Sequence, residues 1–399
     1  MGKQVLATLI LSLCVASCAP VPTTIPTPVS PSVQTLVSQS TPVILQEAAR
    51  LEHTFTVGAL AFSPDGRQLA TADWRGGICV WDTATWHKNL EMIHGEEGEE
   101  KEAVETLAFS PDGHWLATGS FDDTTRLWDV TSGRQVAEIA HEGWVYDVAF
   151  SSDGKWLVTG SSDGTVGILD VSAAQEIGRL KHELMVHDLA LSPDGRWLAT
   201  MTTGSWGPGA VQVWDMSTQQ SRSLAEFGGN AYSNVVFSPD GCYLAAGLGG
   251  SGPAAIWETS TWHEVTRLAT VGTPQILVFS PDGQQLAGVG SGFKETSVIW
   301  IWNASTWREV ARRETEDVAW DVALSPDGQL LAIGLGQGVE HEPVYEAQLW
   351  ETTGGTLVAR MSHEGQVLAV AFSHDGHWLA TGSSDRTVRI WDLRPVHPV

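Results

Sequence analysis

Short runs in which apolar residues alternate with polar or small ones recur along most of the chain. Val145-Tyr146-Asp147-Val148-Ala149-Phe150 is typical, and its period of two predicts a β-strand with one buried face. A tight turn follows, then a second run such as Trp115-Leu116-Ala117-Thr118. A polar loop leads to a third run ending in Trp-Asp or a relative, and a fourth run, such as 135–140, closes the unit.

The turn is SPDG at Ser63, Ser110, Ser192, Ser238, Ser280 and Ser325, with SSDG at Ser151 and SHDG at Ser373. Proline presets one φ and glycine supplies a positive one. The spacings are 47, 41, 41, 46, 42, 45 and 48 residues. A period in the forties fits a four-stranded blade of a β-propeller. The third runs end at Trp81, Trp128, Leu169, Trp214, Trp257, Trp302, Trp350 and Trp391.

On these turns and Trp positions the chain resembles the WD-repeat β-propeller family over residues 44–394. The resemblance implies an all-β fold: a single eight-bladed propeller with four-stranded antiparallel blades. A seven-bladed ring with one displaced unit is the alternative. The family's hydrogen-bonded tetrad joins a His, a Ser or Thr, an Asp and the Trp. His94, Thr118, Asp122 and Trp128 match it, as do His363, Thr381, Asp385 and Trp391. His141, Thr159 and Asp163 match, but Leu169 replaces the Trp. Arg75 stands at the Asp position of the first unit, and units five to seven lack both His and Asp, so packing alone is expected to hold them. His53, His141, His182 and His363 each lie ten residues before their turn serine, which makes them loop-fixing groups. The last unit has no fourth run, and AARLEH before the first unit resembles VARMSH; the N-terminal strand is expected to complete the eighth blade.

Length variation is one-sided. The serine-to-Trp distances are 18, 18, 18, 22, 19, 22, 25 and 18, with the extra residues between strands two and three. Met201–Gly209, Gly290–Thr296 and Gly334–Glu346 are the resulting long loops, and the insert Gly95–Lys101 opens on the same face. Binding sites are commonly built on loops over a rigid scaffold. By the resemblance, partner-binding side chains flank the first strand's entry: Trp144, Tyr146, Met185, His187 and Trp320, with Glu105 nearby and Trp206 in a long loop. Aromatic and Met anchors suit such a role. Packing between blades is the competing role for each. Trp115, Trp156, Trp197 and Trp378 after the turn, and Trp86, Trp262 and Trp307 in the strand three–four hairpin, recur in register and are read as structural.

Composition narrows the function. Of 399 residues, 22 are Lys or Arg and 47 Asp or Glu, a net charge of −25. Phosphate binding needs a basic face, so nucleic acid is excluded as a partner. The chain has no phosphate-binding loop, HExxH, CxxC or EF-hand loop. Asp147, Asp188 and Asp321 share one position beside Asn234 and Thr106; they can hold a cation or bond neighbouring backbone, and the second is expected. No metal, cofactor or enzymatic activity is expected. The run Glu96–Glu100 reads as a solvated loop tip.

Residues 1–18 carry one cation, Lys3, then an apolar run from Val5 to Val15, too short to span a bilayer but suited to a signal peptide. Val15-Ala16-Ser17-Cys18 resembles the bacterial lipoprotein box, which implies lipidation at Cys18. Residues 19–43 hold six prolines with Ser and Thr, an extended tether. Residues 395–399 are a short tail. Cys79 and Cys242 fall in the first and fifth units, so two unpaired thiols are expected. These readings together predict a monomeric, lipid-anchored, non-catalytic scaffold in the bacterial cell envelope. It would show its variable face to a protein or peptide. The alternative is a glycan or small-molecule receptor using that face or the channel.

Overall fold

The computed structural model describes residues 42–95, 102–204, 208–228, 233–249, 252–270, 272–291, 296–315, 317–336 and 344–396. Their strands form eight four-stranded antiparallel sheets, one per repeat. The innermost strands lie side by side in chain order, and the last, Val367–Phe372, returns to the first, Val57–Phe62, so the sheets close as an eight-bladed propeller. Closure uses the N-terminal strand as expected: Glu47–Glu52 pairs antiparallel with Thr387–Asp392 and forms the outer edge of blade eight. Pairing the two chain ends in one sheet removes an open edge.

Between blades the core is built from the alternating residues of each sheet. Val57, Val104, Val145, Val186 and Val367 stand at the entry of their inner strands with no exposure and pack against the preceding blade. Every turn serine is buried, and its Oγ donates to the turn aspartate, as from Ser110 to Asp112 at 2.6 Å. The turn glycines take φ near +70°, so a side chain there is strained. The hairpin tryptophans bear out their structural reading: Trp86 meets Trp378 edge-on at 5.6 Å, and Trp262 meets Trp197 at 5.1 Å. Each joins a blade to the one before it. Trp86, Trp262 and Trp307 hold φ of +58°, +57° and +55°, a strained backbone that these ring contacts offset.

Both complete tetrads form. Thr381 Oγ1 meets His363 Nε2 at 2.7 Å and accepts from Trp391 Nε1 at 2.9 Å, while His363 Nδ1 meets Asp385 at 3.2 Å. In blade two the ring is turned over: His94 Nδ1 meets Thr118 at 2.8 Å and Nε2 lies 3.3 Å from Asp122. Trp128 Nε1 donates to the same threonine at 2.8 Å.

Blade one corrects the sequence reading. Arg75 breaks the alignment, but Asp73, two residues earlier, takes the aspartate's place. His53 Nδ1 lies 3.3 Å from Asp73 and Nε2 lies 2.7 Å from Thr71, which accepts from Trp81 Nε1 at 2.8 Å. The other Asp73 oxygen accepts from the amides of Arg75 and Gly77, so the loop is fixed too. Blade seven is also not held by packing alone. Trp350 Nε1 donates to Gln348 at 3.1 Å, Gln348 donates to buried Glu346 at 2.7 Å, and Arg360 donates to the same carboxylate. Ile333 stands where blades one to four and eight offer a threonine hydroxyl, and Gln348 supplies the acceptor for Trp350 instead.

The inserts lengthen strands as well as loops. Met201–Thr203 extends the second strand of blade four, and Gly209 begins the third. Gly334–Gly336 and Glu346 are likewise strand. Cys79 is a buried free thiol whose pKa burial pushes up to about 11. The unpaired state expected for Cys79 holds.

Candidate functional site: an aromatic rim

Seven of the inner strands carry a register shift just inside their entry, at residues 58, 105, 146, 187, 275, 320 and 368. A bulged residue leaves the ladder and its side chain is re-aimed. Glu105, Tyr146, His187 and Trp320 all stand at such bulges. They mark one rim of the channel.

In three of these blades the residue after the bulge is what the rim rests on. Asp147 accepts from its own neighbour Val148 at 2.8 Å and from Leu189 of the next blade at 3.0 Å. Asp188 accepts from Val235 at 2.8 Å, and Asp321 from Val322 and Val370, both at 2.8 Å. Asn234 clasps Leu277 with two bonds, accepting from its N–H at 2.7 Å and donating to its carbonyl at 2.9 Å. These groups are clasps between blades, as expected over cation binding. Enclosure raises their pKa values, to about 7 for Asp147 and about 6 for Asp321. Asp188 is raised well above the ordinary range by burial and by the Asp147 charge. Among the described residues no cluster of three or more His, Cys, Asp or Glu side chains is arranged to hold a metal.

Above the clasps, blades two to four form a continuous aromatic strip. Phe121 stacks on Trp144 with centroids 4.8 Å apart. Tyr146 meets both edge-on, at 6.0 and 6.4 Å, and lies 5.1 Å from the His187 ring. Trp144 stays 50% exposed despite these contacts. Burial lowers the His187 pKa to about 4, so the ring is neutral near pH 7. Glu105, one blade back, is exposed, and the protein crowding its carboxyl raises its pKa.

The other candidates are placed less compactly. Met185 begins the inner strand of blade four and is partly buried. Trp320 is 46% exposed but stands in blade seven, four blades from Trp144 across the ring. Trp206 and Glu96–Glu100 lie outside the described residues, as does Cys18. Two contributors were missed in sequence. Phe121 and Trp74 each lie eleven residues after their turn serine, and that shared offset was the available signal. Trp74 is 45% exposed, and its ring occupies the space beside Gly58 where a side chain would stand. Phe55, 41% exposed, lies under the Arg75 guanidinium at 5.6 Å.

Comparison with known proteins agrees with this architecture. The model of the WD domain, G-beta repeat, matches residues 46–82, 91–129, 133–170, 175–215 and 355–392. The three blades without a match, five to seven, are the ones lacking a tetrad His and Asp. Fifty residues are 42% identical to the periodic tryptophan protein 2 homolog of Schizosaccharomyces pombe, 12% of this chain and 6% of that protein. The target of rapamycin complex subunit wat1 of the same yeast is 50% identical over 38 residues, 10% of this chain and 12% of that one. The protein LST8 homolog of Dictyostelium discoideum is 35% identical over 66 residues, 14% of this chain and 22% of that one. The matched stretches thus span 6–22% of these relatives' lengths. Five matched repeats within eight blades of one design support a place for the chain in the WD-repeat propeller family.

Proposed function

We propose that the chain is a monomeric, non-catalytic scaffold that binds a protein or peptide partner at the aromatic rim of blades two to four. WD-repeat propellers are generally non-catalytic interaction scaffolds, and the printed name of one relative describes a complex subunit. The observation that carries the reading is the strip Phe121–Trp144–Tyr146–His187, stacked yet half open to solvent. Rigid aromatic groups of this kind bury large area at little entropic cost, and Trp and Tyr dominate binding hot spots. The rim is pre-organised by buried backbone clasps. Affinity capture with the wild type and with Trp144→Ala/Tyr146→Ala tests it. The same partner must be lost from the variant; equal recovery from both refutes the site.

The scaffold works outside the cytoplasmic membrane in this proposal, held by lipid on Cys18. The support is the short apolar run before Val15-Ala16-Ser17-Cys18 and the proline-rich stretch after it. Metabolic labelling with an alkyne fatty acid tests this: label must appear on the wild type and vanish in Cys18→Ser. Label on neither protein refutes the anchor without touching the rim.

A further inference from the structure

Blade four contains a cavity of about 390 Å³ among His182, Thr202, Gln212, Trp214, Ser221 and Glu226. That volume falls in the roughly 300–1,000 Å³ range of small-ligand pockets. The repeats themselves show what normally occupies this place. In blades three and eight the His Nε2 meets threonine and Nδ1 meets an aspartate: His141 with Asp163, and His363 with Asp385, both at 3.2 Å. A guanidinium then lies against that aspartate. Arg389 reaches Asp385 at 3.3 Å, Arg179 approaches Asp163 at 3.9 Å, and in blade two Arg126 approaches Asp122 at 3.8 Å. Carboxylate and cation fill the space together.

In blade four neither stands at its usual position, although Lys181, Glu183 and Glu226 line the cavity. His182 keeps the same ring orientation, with Nε2 3.0 Å from Thr200 and accepting from Trp214 Nε1 at 3.1 Å. An accepting Nε2 leaves the ring hydrogen on Nδ1. Nδ1 is the nitrogen that meets aspartate elsewhere, and here it is buried with no side-chain acceptor, the Gly164 carbonyl being the backbone group that acts on the ring. Gly204 stands at the aspartate position counted from the turn serine, and Gln212 stands two residues before the Trp, where blades two and eight carry Arg126 and Arg389. A buried donor without a side-chain acceptor is unfavourable, and a ligand carboxylate would relieve it. The carboxylate of Glu226 lines the same cavity.

We propose that this cavity binds a small zwitterion, whose carboxylate accepts from His182 Nδ1–H and whose guanidinium or ammonium takes the place of the absent arginine near Glu226. Free L-arginine is the probe, because it carries both groups that the other blades supply covalently. Agmatine has only the cation and glutarate only carboxylates. Gln212→Arg and Gln212→Trp fill the cavity with residues that other blades already carry at this position, Arg389 and Trp300. Calorimetric titration of the whole chain is expected to show one L-arginine site, with agmatine and glutarate at least tenfold weaker. Both Gln212 variants are expected to keep the wild-type melting curve and to lose L-arginine at least tenfold. No binding of L-arginine, equal binding of agmatine or glutarate, or undiminished binding to folded Gln212 variants overturns the proposal.

Discussion

Replacing Asp321 by asparagine is expected to stabilise the ring at neutral pH. The Asp321 carboxyl is enclosed by protein and accepts two backbone hydrogens, from Val322 and Val370. Those bonds favour the ionised form, but burial outweighs them and raises the pKa from 3.8 to about 6. The folded state therefore binds the proton more tightly than the unfolded one. Its contribution is fully present below pH 4 and is lost as pH rises through about 6. The rise corresponds to at most about 3 kcal/mol. Asparagine carries no charge but keeps only one acceptor oxygen, so one of the two backbone hydrogens loses its partner. The chain already uses it at the equivalent position, where Asn234 clasps Leu277. Urea denaturation of wild type and Asp321→Asn from pH 4 to 8 isolates the effect, because the other titrations cancel in the difference. The variant should start about 1 kcal/mol behind the wild type at pH 4 for the lost acceptor, gain on it progressively between pH 4 and 6, and lead by about 1–2 kcal/mol at pH 8. A variant that is less stable at pH 8, with a difference that does not change with pH, would refute the reasoning.

Thr381→Val leaves the Trp391 Nε1 and His363 Nε2 unpaired in a buried site, and should cost about 2–4 kcal/mol by denaturant midpoint. Asp73→Ala should destabilise by more than about 1 kcal/mol while Arg75→Ala stays within about 0.5, which checks by thermal melting that Asp73 completes the first tetrad. Burial lowers the His182 pKa to about 4, so its part in stability should be lost as pH falls from 6.5 through 4; a pH titration of unfolding in His182→Gln should lack that limb. Trp144→Ala should cost about 1–2 kcal/mol, because half of the ring and its stack on Phe121 are lost, and leave the ring of blades folded, yet abolish partner capture.

The repeat was legible because its signals are local. A turn serine bonds its aspartate two residues on, and strand alternation needs no knowledge of neighbours. Ring closure was legible for a related reason: one run was missing at the end and a matching one stood at the beginning. The rim was only half legible. Bulges at Tyr146 and Trp320 depend on the register against a second strand, which alternation along one strand does not reveal. Phe121 comes from the preceding blade, so its stacking on Trp144 is a tertiary contact with no mark in blade three. Asp73 was passed over because equivalence was counted along the chain, whereas His53 selects its partner in space. The blade-four cavity is an absence, and a missing pair of side chains shows only when the blades that have them are superposed in thought on the one that does not.

The central claim is that a partner sits on the aromatic rim. Site-specific photo-crosslinking in the native cell tests it most directly, with the probe at Glu142 beside Trp144 or at Lys155 in the turn of the opposite face. The account predicts one discrete adduct from position 142, lost when Tyr146 is replaced by alanine, and none from position 155. An adduct from position 155 alone, or the same adduct from both positions, would contradict it.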